Sequence, residues 1–179
     1  MFECVYNNIR LEAQEGDIAA QQDIQAAVNA ANAELQFGGG VAGALHGAAG
    51  PELAKECKPL APINPGEAVI TGAHNLPNDY VIHCLGPIYG HDKPEAELLA
   101  SCYREALRRA EENNIKSIAF PAISTGAFSY PFQEATDIAL TTIRNTLPEL
   151  KTVKQIRFVL YNARDLDIYK DKLRAVFGD

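Results

Sequence analysis

Val28-Asn29-Ala30-Ala31-Asn32-Ala33, followed by Phe37-Gly38-Gly39-Gly40-Val41 and the small apolar run from Ala42 to Gly50, decides how this chain is read. The first part has the character of the end of a buried strand and the middle is a bare backbone loop. The last part, with apolar positions at Val41, Leu45 and Ala49, has helical spacing. Glycines lack Cβ and let main-chain N–H groups approach a ligand, and the unpaired N–H groups of a helix start carry partial positive charge. The arrangement suits an anion, above all a phosphate. Asn29 and Asn32 sit just upstream, where neutral amides can read sugar hydroxyls. Three glycines in a row also serve as a plain flexible turn, so context decides between the two readings.

That context is a second strand, loop and helix of the same design. Ser117-Ile118-Ala119-Phe120-Pro121-Ala122-Ile123 runs into Ser124-Thr125-Gly126-Ala127-Phe128-Ser129-Tyr130-Pro131. Gly126 frees the backbone, Ser124 and Thr125 add hydroxyl donors, and Pro131 suits a first helical turn because its missing N–H has no partner to lose. Two such loops can hold a diphosphate between them.

Length and composition narrow the classes. At 179 residues, 47% apolar and 22% charged, the chain reads as one globular domain spanning residues 1–179. A net charge of −7 argues against direct nucleic-acid binding, which needs Lys and Arg at phosphates, but leaves room for a small anion held by backbone amides. Cys4, Cys57, Cys84 and Cys102 form no CxxC pair, so neither a metal site nor a disulfide framework is expected, and no cofactor is implied. Met1-Phe2-Glu3-Cys4 starts no basic-then-apolar leader, and no run is long enough to cross a bilayer; a cytoplasmic protein without membrane contact is expected.

Taken in order, Cys4 to Ile9 and Arg10 to Gln14 read as short strands about an Asn7-Asn8 turn. Asp17 then either caps a short helical turn or accepts a hydrogen bond from an exocyclic amine. Strands are predicted at 24–29, 66–71, 80–85, 117–123 and 155–161. Helices are predicted after the glycines, at 52–58, 94–113, 132–147 and 165–177. In the helix over 94–113, Leu98, Cys102, Leu107 and Ala110 face the core, while Arg104, Arg108, Glu111 and Glu112 face water. Alternating strands and helices predict a largely parallel sheet with helices on both faces and ligand loops at the strand carboxyl ends. Both glycine loops and Tyr161-Asn162 fall there, Tyr161 either sealing the sheet edge or stacking on a base.

Other motifs fit less well. Gly38, Gly40 and Gly43 satisfy G-x-G-x-x-G, the mark of an NAD-dependent oxidoreductase, yet eight residues separate Asn29 from Gly38 and no acidic residue ends the next strand near Thr71 and Gly72. No P-loop is present, Ser124 lacks the G-x-S-x-G elbow, and the four histidines lack H-E-x-x-H spacing. His46 lies one turn beyond Ala42, either pointing toward the glycine loop or buried in its helix.

Val28 to Asn32, Gly38 to Val41, and Ile123 to Pro131, in this order and spacing, closely resemble the macrodomain family, and Gly16-Asp17-Ile18, Ala49-Gly50-Pro51 and Tyr161-Asn162 extend the match. The resemblance implies a three-layer α/β/α fold with a mixed, largely parallel central sheet, and a ligand that is ADP-ribose, O-acetyl-ADP-ribose or an ADP-ribosylated protein. It implies that Asp17 holds the adenine amine, Ile18 gives a backbone contact to the ring, and Tyr161 stacks beside it with Asn162 assisting. Asn32 then hydrogen-bonds the distal ribose and is the one residue carried over as catalytic. Gly39, Gly40 and Val41 wrap that sugar and a phosphate, and Ser124, Thr125, Gly126, Ala127 and Phe128 close over the diphosphate.

Many proteins of this kind hydrolyse ester-linked ADP-ribose. In one hydrolase branch the loop continues Gly-Val-Asp-Gly, its Asp positioning a water, whereas this chain has Gly40-Val41-Ala42-Gly43. Ala42 takes no proton. The resemblance therefore implies either hydrolysis in which a ligand phosphate helps to orient the water, or a reader that binds without turnover.

Overall fold

The computed structural model describes residues 1–178. The chain opens as a hairpin, β1 (Phe2–Tyr6) and β2 (Ile9–Glu15), whose turn residues Asn7 and Asn8 both have positive φ, 51° and 62°. A two-residue hairpin turn needs that left-handed pair, and Asn tolerates it. There follow β3 (Ala26–Ala30), α1 (Gly40–Ala49), α2 (Pro51–Cys57), β4 (Ala68–Gly72) and β5 (Tyr80–Cys84). The rest of the chain is α3 (Glu95–Glu112), β6 (Ser117–Phe120), α4 (Phe132–Thr146), β7 (Gln155–Leu160) and α5 (Ala163–Phe177).

One sheet takes all these strands in the order β1-β2-β7-β6-β3-β5-β4. The five inner strands run parallel, and β1 and β4 close the edges antiparallel, so the sheet is mixed and largely parallel as expected. Side chains alternate between two cores, as the period of two along a strand requires. Val28, Ile118, Phe120, Ile156 and Phe158 join Leu99 and Leu107 of α3, Leu140 and Ile143 of α4, and Tyr169 and Leu173 of α5. Their neighbours Ala27, Ala119, Val81 and Val159 face the opposite way, onto Leu45 of α1 and Leu53 of α2. The result is three layers.

Several boundaries differ from the sequence reading for local reasons. β6 ends at Phe120, three residues before Ile123, because Pro121 has no N–H to continue the ladder. That frees Ala122 and Ile123 for a loop. α5 starts at Ala163, two residues early, since Asn162 caps it. In α3, Leu99 occupies the core position and Leu98 is only half-buried. Glu111 does not simply face water: its carboxylate accepts hydrogen bonds from the N–H groups of Lys151, Thr152 and Val153, anchoring the approach to β7.

Because β2, β7, β6, β3 and β5 are parallel, their carboxyl ends share one edge. Gly16 N–H donates to Leu160 O at 3.0 Å, and Ala31 N–H donates to Cys84 O at 2.9 Å, which fixes the strand exits side by side. At about 4.8 Å per strand, the four steps from β2 to β5 make a strip roughly 19 Å long. Among the described residues, no helix is long and apolar enough to cross a membrane.

Candidate functional site

A cleft of about 340 Å³ opens in the middle of that strip, between the loop that enters α1 and the loop that leaves β6. Asn32 and Gly38 to Ala42 form one wall, Ser124 and Gly126 to Phe128 the other, and Ala30, Ala31 and Gly86 lie between. Among the described residues, no ionisable side chain lines it. α1 begins here with Gly39 at its cap; no side chain bonds its first N–H groups and no acidic residue stands in its first turn. Those donors and the positive end of the helix are left for a ligand. Gly40, at φ 54°, takes a left-handed conformation that a side chain would strain. A Cβ on Gly43 would sit 2.5 Å from the Gly38 carbonyl, so the loop rests directly on the second turn of the helix.

The opposite loop is held just as tightly. Tyr130 N–H donates to Ser124 O at 2.9 Å and Ser129 N–H to Gly126 O at 2.9 Å, which leaves Ser124 at φ 67°. Its hydroxyl is buried at 6% exposure and finds no hydrogen-bond partner among the described residues, although a buried hydroxyl ordinarily has one. Thr125 differs from expectation: it does not line the cleft, and its hydroxyl donates to Ala122 O at 2.8 Å, bracing the turn. Asn32 brackets Gln36, donating from Nδ2 to Gln36 O (2.9 Å) and accepting at Oδ1 from Gln36 N–H (3.1 Å). An amide nitrogen carries two protons, so one remains for a ligand.

Asp17, Ile18, Tyr161 and Asn162 stand outside this cleft, together at the β2 and β7 end of the strip. Asp17 caps the short helical turn Ile18–Ala20, accepting from Ala19 N–H at 2.9 Å. A carboxylate has about four acceptor sites, and the cap uses one. Ile18 turns its side chain into the core beside Val159, leaving only its backbone for a ligand. Tyr161 is 89% exposed and seals no edge. The Asn162 oxygen accepts from Asp165 N–H at 2.8 Å, as the cap of α5.

Two polar groups missed or misread from sequence support these loops. Arg157, buried in β7, donates to its strand partner Glu12 (3.0 Å), to Gln21 (2.9 Å) and to both oxygens of Asp23, and Gln21 in turn donates to Asp17 O at 2.8 Å. The Asp17 turn is thereby tied to the sheet, and the Arg157 hydrogen bonds hold the Asp23 carboxyl below its ordinary value. A single charged residue inside the apolar run Ile156 to Leu160 was the available signal. Asn29, read as a sugar contact, is instead fully buried: its Nδ2 donates to His83 Nδ1 at 3.0 Å. The Thr71 hydroxyl donates to Gly72 O, so His83 Nε2–H donates to Thr71 Oγ1 at 2.9 Å and the ring is neutral. Burial, then the neighbouring His46, pushes His83 down to about 3. His46 is buried in α1, with its ring 6.4 Å from that of His83, and does not line the cleft. Among the described residues, no group of His, Cys, Asp or Glu is placed to hold a metal ion.

Known proteins share this architecture. Residues 28–139 match the macro domain family model. The chain is 45% identical over 170 residues to a macro domain-containing protein of Chlorobaculum tepidum, covering 94% of this chain and 98% of that one. It is 45% identical over 166 residues to the ADP-ribose glycohydrolase MACROD2 of Xenopus laevis, covering 91% of this chain but 40% of the relative. A glycine-to-valine variant of the Oceanobacillus iheyensis macrodomain, solved with ADPR, superposes with a TM-score of 0.93 at 40% identity over 99% of both chains. Family model, near-full-length relatives and fold agree, and the chain belongs to the macro domain family.

Proposed function

We propose that this chain acts as a single macrodomain over residues 1–179, binds ADP-ribose, and hydrolyses ester-linked ADP-ribose, as O-acetyl-ADP-ribose or as ADP-ribosyl groups on Glu and Asp side chains. The observation that carries the binding half is an anion cradle with no cation in it: the uncapped start of α1 faces the buried, unpartnered Ser124 hydroxyl across the cleft. A diphosphate supplies acceptors to both. Adenine then lies toward Asp17 and Tyr161, and the distal ribose toward Asn32 and Phe128. The relatives named for ADP-ribose hydrolysis and solved with ADPR support this assignment.

In the hydrolytic step the water oxygen bonds to the acyl carbon, the bond from that carbon to the ribose oxygen breaks, and a proton passes to the ribose oxygen. No side chain lining the cleft accepts a proton at neutral pH, and Ala42 stands where one hydrolase branch has Asp. Rate therefore comes from holding ester and water in register, with a ligand phosphate oxygen orienting the water and Asn32 fixing the sugar. The same lack of a base favours a second reading, a reader module that binds and does not turn over.

Calorimetric titration with ADP-ribose, NAD, AMP and ADP, run beside a time course on O-acetyl-ADP-ribose, tests both halves. Tight ADP-ribose binding with weak NAD binding and loss of the acetyl ester is the expected result. Binding with background turnover leaves the reader, and no ADP-ribose binding removes both.

A further inference from the structure

A second cavity, of about 430 Å³, continues from the nucleotide cleft and shares Asn32, Gly86 and Phe128 with it. It lies over the carboxyl end of β5, at the end of the strip opposite Asp17 and Tyr161. We propose that this cavity is an acyl subsite, and that the preferred ligand is ADP-ribose esterified on its distal ribose with an aliphatic acyl group longer than acetyl. The inference rests on the ADP-ribose reading above.

Position and chemistry both point there. With the purine at Asp17 and the diphosphate at α1, only the distal ribose and its substituent reach the shared wall at Asn32 and Phe128. Beyond that wall the surface is mostly apolar, with Ala33, Ile63, Pro65, Leu85 and Ile88 against the polar Asn64 and Asp92, and far larger than an acetyl group fills. Ile88 is 39% exposed, an aliphatic side chain left partly uncovered at the rim. Among the described residues no Lys or Arg lines the cavity, so an acyl chain ending in a carboxylate finds no cation. The one carboxylate there, Asp92, accepts from Ile88 N–H at 2.8 Å and pairs with His91 at 3.1 Å, closing the rim turn. That same backbone hydrogen bond from Ile88 holds the Asp92 carboxyl below its usual value. A peptide carrier fits less well, because its amide groups would enter a lining with few polar partners, and unpaired polar groups are costly to bury.

The test is calorimetry with ADP-ribose and with non-hydrolysable analogues whose distal ribose carries an amide-linked acetyl, butanoyl or succinyl group, so that affinity is read whether or not the protein turns over. The butanoyl analogue should bind roughly tenfold more tightly than the acetyl one, the factor expected for two buried methylenes. The succinyl analogue should show no such gain. Ile88→Asn should cut the butanoyl gain to less than about threefold while ADP-ribose affinity stays unchanged. Equal affinity of acetyl and butanoyl analogues, with ADP-ribose still bound, overturns the subsite and leaves the nucleotide assignment standing. An amide-linked glutamyl peptide that outbinds the butanoyl analogue overturns it in favour of a protein carrier. Failure of ADP-ribose itself to bind overturns both.

Discussion

Gly86 and Ser124 touch across the floor of the cleft so closely that a Cβ on Gly86 would collide with Ser124 Oγ and come within 2.7 Å of Ile123 Cγ2. The Ser124 main chain cannot move aside, because Tyr130 N–H and the left-handed backbone fix it, so relief comes from turning its hydroxyl away from its place in the cleft and from local shifts. Gly86→Ala should therefore cost about 1–3 kcal/mol of stability, as overpacking does, and weaken ADP-ribose binding by at least about tenfold. Ser124→Gly removes both the hydroxyl and the Cβ that the new methyl meets and relaxes the positive φ. The double variant should regain part of the stability by urea denaturation, the contact with Ile123 Cγ2 remaining, without regaining affinity by calorimetry. A Gly86→Ala protein that binds ADP-ribose normally would mean that Ser124 does not face the ligand.

Asp17 caps a turn and, under the proposed function, also recognises the purine; one substitution separates the two roles. Its Oδ1 caps the Ile18–Ala20 turn, a task Asn performs equally well. Asp17→Asn should leave the thermal midpoint nearly unchanged. Its amide can no longer offer a second carboxylate oxygen to an exocyclic amine, so affinity for ADP-ribose should fall by about 1–3 kcal/mol. Asp17→Ala should lose both, adding about 1 kcal/mol of lost stability. Equal affinity of the Asn variant and the native chain would confine Asp17 to capping.

What the sequence made legible follows from locality. Strand, glycines and helix at 28–50 announce themselves because hydrophobic period and glycine placement are local properties, and the same holds for β6 and its loop. Thr125 and Ser124 are adjacent and chemically alike, yet only Ser124 faces the cleft. The difference lies in a backbone turn closed by Tyr130 and Gly126, which residue type alone does not express. Asn29 and Asn32 are three apart and looked equivalent. In a strand the alternation sends Asn29 under α1 toward its register partner His83, whereas Asn32 lies past the strand end and stays half-open. Arg157 and Gly86 were missed because their partners are distant in sequence: β2–β7 pairing brings Glu12 to Arg157, and the loops leaving β5 and β6, on either side of β3, bring Gly86 to Ser124.

Among the described residues the cleft lining contains no titratable side chain, which bears on the rate. If turnover occurs, kcat/KM for O-acetyl-ADP-ribose should stay flat between about pH 5.5 and 8 apart from the growing hydroxide contribution, with no bell from an enzyme acid and base. Ala42→Asp adds a carboxylate in the first turn of α1, where the helix start favours it. The rate should rise and acquire an acid limb near the carboxylate range, while ADP-ribose binds somewhat more weakly because the new charge meets the diphosphate. A raised rate with no acid limb would show that the added side chain acts by packing.

His83 makes a prediction about stability instead. An unfolded histidine titrates near 6.5, whereas folded His83 titrates at about 3, so between these values the unfolded chain takes up a proton that the folded chain refuses. Stability from this site is therefore fully present above about pH 6.5 and declines as pH falls through the window toward 3, by roughly 2–3 kcal/mol at pH 4.5. His46, also pushed down by burial, adds to the decline in the same direction. His83→Gln lacks the titration; it should be less stable than the native chain at pH 7, with Asn29 and Thr71 losing a well-placed partner, yet show a shallower fall between pH 6.5 and 4.5. Urea denaturation at half-unit pH steps measures the slopes, and parallel slopes for the two proteins would show that His83 takes up its proton in the folded state at ordinary pH.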